Sequence, residues 1–195
     1  YTRKAIELNP DYAIAHSNLG SILRDLGKLQ DAEISYRKAI DLNPDYAIAH
    51  SNLGSILRDL GNLKEAELST RKAIELKPGF TEAHSKLGHI LKDLGKLQEA
   101  EQSFRETIEL DPNWVDASSN LGVLHLHKGE HTLSLQYFAR SAQILRAPKN
   151  QKYVTGSTQL LRVANNEESN HARFKTISKA KIDHDIEQFE YLASK

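Results

Sequence analysis

The sequence predicts an all-α solenoid built of antiparallel helix pairs. Residues 13–46 and 47–80 are identical at 25 of 34 positions, and looser copies follow at 81–114 and 115–148. One proline recurs every 34 residues, at Pro10, Pro44, Pro78 and Pro112. A fixed period of this length indicates a repeat array, in which each copy packs mainly against its neighbours.

Each copy reads as two helices separated by a glycine. In residues 13–46, apolar and small residues recur at helical spacing, at Ala13, Leu19, Ile22, Leu23 and Leu26. Gly27 ends this helix, because glycine readily adopts a left-handed conformation. The second helix is predicted over Leu29–Leu42 and ends at Asn43 and Pro44, since proline has no amide hydrogen to donate. Asp45 is placed to cap the following helix.

The composition excludes several classes of function. Lys plus Arg and Asp plus Glu number 26 each, so no basic surface for nucleic acid is indicated. Cysteine is absent, which excludes disulfides and thiolate chemistry. There is no apolar run of membrane-spanning length and no signal-peptide pattern. We therefore expect a cytoplasmic chain with neither nucleic-acid nor membrane partners. Because methionine is absent and Tyr1 falls within a predicted helix, we also expect a fragment of a longer protein.

The pattern resembles the tetratricopeptide repeat family, whose signature is Trp-x2-Leu-Gly-x2-Tyr, then Ala-x3-Phe, Ala and Pro. Here it appears at His16, Leu19, Gly20, Leu23, Ala32, Tyr36, Ala39 and Pro44. The resemblance implies a right-handed superhelix over residues 1–148, with a half repeat at 1–12 and repeats at 13–46, 47–80, 81–114 and 115–148. Residues 149–195 are predicted to form a linker and helices that cap the array.

The resemblance also implies a protein–protein interaction scaffold. In this family the first helix of each pair lines a concave groove that holds an extended peptide or a partner helix. The residues expected on this groove are Ser17, Asn18, Ser21, Arg24, Ser51, Asn52, Ser55, Arg58, Ser85, Lys86, His89, Lys92 and Asn120. Val123, Leu126 and His127 are expected beside them in the fourth repeat.

Two side-chain series on this groove have alternative interpretations. Asn18, Asn52 and Asn120 share one repeat position, similar to the asparagine ladder in the tetratricopeptide region of protein O-linked N-acetylglucosamine transferase. Their amides would grip a peptide backbone, or they merely suit a solvated helix face. Arg24, Arg58 and Lys92 would orient a ligand, or they neutralise the adjacent Asp25, Asp59 and Asp93. The lysine and asparagine clamp that some family members use for C-terminal carboxylates is absent, since Ser17 and Ser21 occupy its positions.

No catalytic, metal or cofactor site is predicted. His16, His50 and His84 recur once per repeat and lie too far apart to share one ion, so we interpret them as packing residues. His125, which replaces a leucine of the earlier repeats, could form at most an adventitious metal site with His127 and His131. The run Asp183-His184-Asp185 is interpreted as a solvated helix face. Residues 179–195 resemble the connector of bacterial tetratricopeptide proteins that continue into an iron and 2-oxoglutarate oxygenase-like domain. The alternatives to a simple scaffold are a substrate-presenting region of such an enzyme, or of a glycosyltransferase, and self-association through the N-terminal half repeat.

Overall fold

The computed structural model describes residues 2–146, and this part of the chain is entirely helical. The predicted all-α solenoid is confirmed. Residue 1 and the capping helices predicted within 149–195 lie outside the described residues, as does Pro148. The helices of the described part are α1 Thr2–Leu8, α2 Ala13–Asp25, α3 Leu29–Leu42, α4 Ala47–Asp59, α5 Leu63–Leu76, α6 Thr81–Asp93, α7 Leu97–Leu110, α8 Val115–His127 and α9 His131–Arg146.

The helices pack in sequence order. The first helices of the four repeats are α2, α4, α6 and α8, and each packs on the second helix of its own repeat, α3, α5, α7 or α9. Each second helix also packs on the next first helix, while α2 contacts α4 and α4 contacts α6 directly. Hydrogen bonds from side chains of α6 to α8 extend this series to the fourth repeat. The first helices therefore lie side by side and form one continuous surface.

The turn inside each repeat depends on a left-handed glycine. Gly27 has φ of 73° and donates its amide hydrogen to the carbonyl of Arg24 at 2.8 Å. Lys28 donates to the carbonyl of Leu23 at 2.9 Å. This pair of bonds is the Schellman arrangement, which satisfies carbonyls at the end of a helix and requires a left-handed residue.

The turn between repeats depends on histidine and asparagine. His50 donates from Nε2 to the carbonyl of Pro44 at 2.8 Å, and His16 and His84 make the same bond to the proline six residues earlier. Asn43 Oδ1 accepts the amide hydrogen of Asp45 at 3.2 Å. The expectation that Asp45 caps α4 is wrong, because the capping position is held by Tyr46 and has no side-chain hydrogen bond. The recurrent histidines therefore hold the turn in place.

The apolar core consists of two clusters that meet at α6. The first includes Leu23, Tyr36, Ile56 and Ile90, and the second includes Leu87, Leu91, Phe104, Leu121 and Leu124. Repeat 2 has Thr70 where repeats 1 and 3 have the fully buried rings of Tyr36 and Phe104. The smaller side chain still fills its place, because a Cβ added at Gly54 would lie 2.1 Å from Thr70 Oγ1.

Ion pairs join successive second helices on the outside of the array. Arg37 on α3 bonds Glu65 on α5 at 2.5 Å, and Arg71 on α5 bonds Glu99 on α7 at 2.6 Å. Glu101 on α7 accepts hydrogen bonds from Arg105 and from Lys128, at the end of α8. These pairs are partly exposed, so each contributes about 0–1 kcal/mol.

Candidate functional site

Four positions of each first helix share one face. Residues 14, 18, 21 and 25 follow the i, i+4, i+7 and i+11 spacing that aligns side chains along one side of a helix. We call the surface formed by these positions in the four repeats the groove face. Its residues are Ile14, Asn18, Ser21 and Asp25 on α2, Ile48, Asn52, Ser55 and Asp59 on α4, Glu82, Lys86, His89 and Asp93 on α6, and Asp116, Asn120, Val123 and His127 on α8.

The asparagines of repeats 1 and 2 have unused hydrogen-bonding groups. Asn18 is exposed and makes no hydrogen bond to any residue within 2–146. Asn52 accepts a hydrogen bond at Oδ1 from Lys86 Nζ at 3.1 Å, while its Nδ2 has no acceptor in the described part of the chain. A ligand can therefore form hydrogen bonds with both Oδ1 and Nδ2 of Asn18, and with Nδ2 of Asn52.

Asn120 differs because its amide is already used within the protein. Its Oδ1 accepts a hydrogen bond from Lys92 Nζ at 2.7 Å. Its Nδ2 donates to the backbone carbonyl of Asp116 at 2.9 Å and to Asp116 Oδ1 at 3.1 Å. The three asparagines therefore occupy the same repeat position but differ in how many of their hydrogen-bonding groups are already used.

Lys86 is tied to the neighbouring repeat. Besides Asn52, its ammonium group contacts Ser51 Oγ at 3.2 Å and Glu82 Oε1 at 2.6 Å. The Lys86 side chain is 19% exposed, whereas that of Glu82 is 51% exposed. A molecule on the groove face therefore meets the carboxylate of this pair before it meets the ammonium.

Asp116 lies at the centre of a polar cluster between repeats 3 and 4. Its Oδ2 accepts hydrogen bonds from His89 Nε2 at 2.7 Å and from Ser85 Oγ at 3.2 Å. Trp114 Nε1 donates in turn to Ser85 Oγ at 3.2 Å. Burial by itself would raise the pKa of Asp116, but the His89 hydrogen bond and charge outweigh it, with help from Ser85 and Lys92. The pKa of Asp116 is therefore lower than usual, and the carboxylate is ionised at neutral pH.

The predicted basic series is occupied by contacts within the protein. Arg24 pairs with Asp25 at 3.2 Å, and Arg58 Nε contacts Asp93 Oδ2 of the next repeat at 2.5 Å. Lys92 bonds Asn120, as described above. Asp59 is exposed and has no ion-pair partner among residues 2–146. Arg24 and Arg58 are thus neutralised by aspartates, whereas Lys92 bonds an uncharged amide and has no ion-pair partner within residues 2–146.

Some predicted groove residues do not reach the surface. Ser17, Ser51 and Ser85 are only 2%, 0% and 5% exposed, because they lie between adjacent first helices. The expectation that they line the groove is corrected accordingly. Ser21 is half-buried and bonds Tyr36 at 3.0 Å, while Ser55 donates to the carbonyl of Ser51 at 3.3 Å.

One row of the groove face was not predicted from the sequence, namely the second residue of each first helix. Ile14 and Ile48 are each 43% exposed, and the equivalent positions in repeats 3 and 4 are Glu82 and Asp116. The sequence did contain a signal for this row. Each of its residues lies four positions before the asparagine position, and residues with this spacing share one side of a helix. Val123 and Leu126 are 38% and 47% exposed.

The described residues contain no group of three or more His, Asp or Glu side chains that could hold a metal ion. His125, which stands where the earlier repeats have a leucine, is only 2% exposed. It contacts Glu130 through Nδ1 at 2.5 Å and stacks on Tyr137. The Asp183-His184-Asp185 run lies outside the described residues.

Family comparisons agree with this helix-pair geometry. Family models described as TPR repeat or tetratricopeptide repeat match residues 1–34, 20–61, 47–80 and 85–148. The chain is built of tetratricopeptide repeats. The comparison with curated proteins returns no match. The resemblance of residues 179–195 to an oxygenase connector concerns residues outside the described part and stays a prediction.

Solved structures with the same fold include two of MamA. A crystal structure of MamA has a TM-score of 0.68 and 24% identity, covering 73% of this chain and 84% of that one. MamA from Desulfovibrio magneticus RS-1 has a TM-score of 0.69 and 20% identity, covering 76% and 84%. The first tetratricopeptide domain of Spaghetti (RPAP3), bound to the HSP90 peptide SRMEEVD, has a TM-score of 0.59 and 26% identity, covering 60% and 94%. Across residues 2–146, no helix is long and apolar enough to cross a membrane.

Proposed function

We propose that this chain is a protein-interaction scaffold that holds an extended peptide on the groove face. Tetratricopeptide repeats and the peptide-bound Spaghetti (RPAP3) domain support a scaffold role. The observation that carries the finer proposal is the unused amide chemistry of Asn18 and Asn52 on adjacent first helices. An amide that offers both a donor and an acceptor can bond a peptide backbone whatever its side chains are.

The proposed site is concentrated in repeats 1 and 2. Asn120 has less free hydrogen-bonding capacity, because its Nδ2 already donates to Asp116 and its Oδ1 already accepts a bond from Lys92. Binding through Asn18 and Asn52 breaks nothing except, at most, the Asn52–Lys86 bond. The peptide should therefore cross α2 and α4, with its backbone against the amides of Asn18 and Asn52.

The test begins with a displayed library of random peptides selected on the wild-type protein. The dissociation constants of the enriched peptides are then measured for the wild type, for Asn18→Ala with Asn52→Ala, and for Asn120→Ala. Each lost hydrogen bond is worth about 0.5–1.5 kcal/mol, so the double variant should bind roughly ten-fold more weakly or worse.

Asn120→Ala is the matched control, because it removes the same amide from the same repeat position. It should change affinity less than the double variant does. Enriched peptides that bind all three proteins equally would contradict the proposed site, and a library that yields no specific binder would contradict the peptide-binding function itself.

Self-association is a second candidate, supported by an exposed apolar edge. Ile22 is 45% exposed, whereas its equivalents Ile56 and Ile90 are fully buried against the preceding repeat. Leu26 on the same side is 66% exposed. If copies associate through this edge, light scattering should show a mass that rises with concentration and falls with Leu26→Glu. The control Leu68→Glu alters a similarly exposed leucine elsewhere, and an equal effect of the two would contradict this interface.

A further inference from the structure

The groove face changes character along the array, and the change is clearest in the row formed by the second residue of each first helix. We call it the leading row: Ile14, Ile48, Glu82 and Asp116. Its first half is apolar and half-exposed, and its second half is acidic. A single ligand lying across the four first helices would meet both halves in order.

In the acidic half of the leading row, the carboxylates are accessible to a ligand. The side chains of Glu82 and Asp116 are 51% and 50% exposed, whereas their cationic or histidine partners, Lys86 and His89, are 19% and 21% exposed. Both partners are also tied to the scaffold, Lys86 by Asn52 and Ser51, and His89 by edge-on packing against Phe104. The more accessible member of each pair is the carboxylate.

The spacing of the row matches an extended peptide. Adjacent packed helices lie about 8–10 Å apart, and α2, α4 and α6 are direct neighbours. The hydrogen bonds of Asp116 with Ser85 and His89 show that α8 also lies beside α6. A peptide in the extended polyproline II conformation advances about 3.1 Å per residue with three residues per turn. One repeat therefore corresponds to about three peptide residues, and side chains at every third position lie on the same side of the peptide.

We propose that the partner of the groove face is an extended segment whose side chains at every third position are apolar against Ile14 and Ile48 and then Lys or Arg against Glu82 and Asp116. This inference rests on the proposed peptide-binding function and names the chemistry of the peptide. Its charge is the opposite of that of SRMEEVD, the acidic peptide held by the Spaghetti (RPAP3) domain. The peptide could run in either direction along the row with the same spacing. We therefore expect either the apolar residues first and the basic residues second, or the reverse order.

Acidic residues in a first helical turn also stabilise the helix itself. A loss of affinity on removing them would therefore not distinguish recognition from folding. A change in which peptides bind does distinguish the two, because a purely structural role gives no reason for the preferred charge of the ligand to reverse.

The experiment selects the same random-peptide library on the wild type and on the Glu82→Lys, Asp116→Lys variant. Peptides that bind the wild type should have apolar residues at two positions three residues apart. They should have Lys or Arg three residues further on, or both three and six residues further on. The charge-reversed variant should enrich Asp or Glu at those steps and retain the apolar pair. Selected Lys peptides should bind the variant at least ten-fold more weakly than they bind the wild type at low salt.

A neutral variant, Glu82→Gln with Asp116→Asn, guards against misfolding of the charge-reversed protein. It should bind the Lys peptides and their Glu-substituted versions with nearly equal affinity, while circular dichroism shows unchanged helix content. If wild-type binders depend on Asn18 and Asn52 but show no charge preference at these steps, this inference is overturned and the proposed function stands. If no peptide binds the wild type, both fail.

Discussion

Repeats 1 and 2 and repeats 3 and 4 share one framework and present different groove chemistry. In the first two repeats the groove face carries isoleucine in the leading row, asparagines with unused hydrogen-bonding groups, serine, and aspartate at its far end. In the last two it carries carboxylates, and its cations and amide are used in contacts between repeats. The framework positions are fixed by packing, whereas the groove positions bear no such constraint and are free to differ. In the proposed peptide-binding function, this difference would set the specificity for the peptide.

The largest expected effect concerns the shared framework. Gly54→Val should destabilise the fold, because the added Cβ would meet Thr70 Oγ1 at 2.1 Å and the backbone carbonyl of Ala66 at 3.1 Å. Overpacking of this kind costs about 1–3 kcal/mol. Denaturant unfolding measures the loss, with Gly79→Ala as control, since nothing lies within 4 Å of a Cβ there. Equal stability of Gly54→Val and the wild type would refute the close helix contact.

A smaller effect separates the two ends of the asparagine series. Asn120→Ala should lower the free energy of unfolding by about 0.5–1.5 kcal/mol, because it removes the contacts to Lys92 and Asp116. Asn18→Ala should leave stability nearly unchanged, since Asn18 bonds nothing within residues 2–146. Thermal unfolding of the two variants is the measurement. The proposed division of the groove face is wrong if Asn18→Ala is the more damaging change.

The smallest effect is a dependence of stability on pH at the joint between repeats 3 and 4. Burial would raise the pKa of Glu101, but hydrogen bonds from Lys128 and Arg105 lower it below its usual value. A lowered pKa stabilises the folded state above the unfolded value, near pH 4.3, and this contribution disappears as pH falls through the folded value. It should be on the order of 1 kcal/mol or less, because the charges that hold Glu101 are partly exposed.

Unfolding curves of the wild type and Glu101→Gln between pH 7 and pH 3 test this contribution. The wild type should be the more stable protein at pH 7, and its advantage should shrink toward acid. Glu109→Gln is the control, since Glu109 is exposed and has no ion pair among the described residues. A constant difference between wild type and Glu101→Gln across the whole range would argue against the ionised pair.

The helices and turns were predictable from sequence because their causes are local. The Gly27 turn and the end of α3 at Leu42 follow from the conformational preferences of glycine and proline. The role of Asp45 was predicted wrongly, because the side chain of Asn43 and the ring of His50 hold that turn instead.

The state of each groove residue could not be predicted, because it depends on the neighbouring repeat. Asn18 and Asn120 occupy equivalent positions, but Asn120 is occupied because Lys92 reaches it from α6 and Asp116 stands where repeat 1 has Ile14. The burial of Ser51 likewise depends on how closely adjacent first helices pack. The 34-residue period fixes which residues are equivalent, but not which contacts each of them makes.

The most direct test of the division of the groove face is to follow the asparagine side-chain amides by NMR while a library-selected peptide is added. The Nδ2 resonances of Asn18 and Asn52 should shift strongly, because their hydrogens pass from water to the peptide. The resonances of Asn120 should move little, since its amide stays bonded to Asp116. Strong shifts at Asn120 with none at Asn18 and Asn52 would contradict the proposal that repeats 1 and 2 grip the peptide backbone.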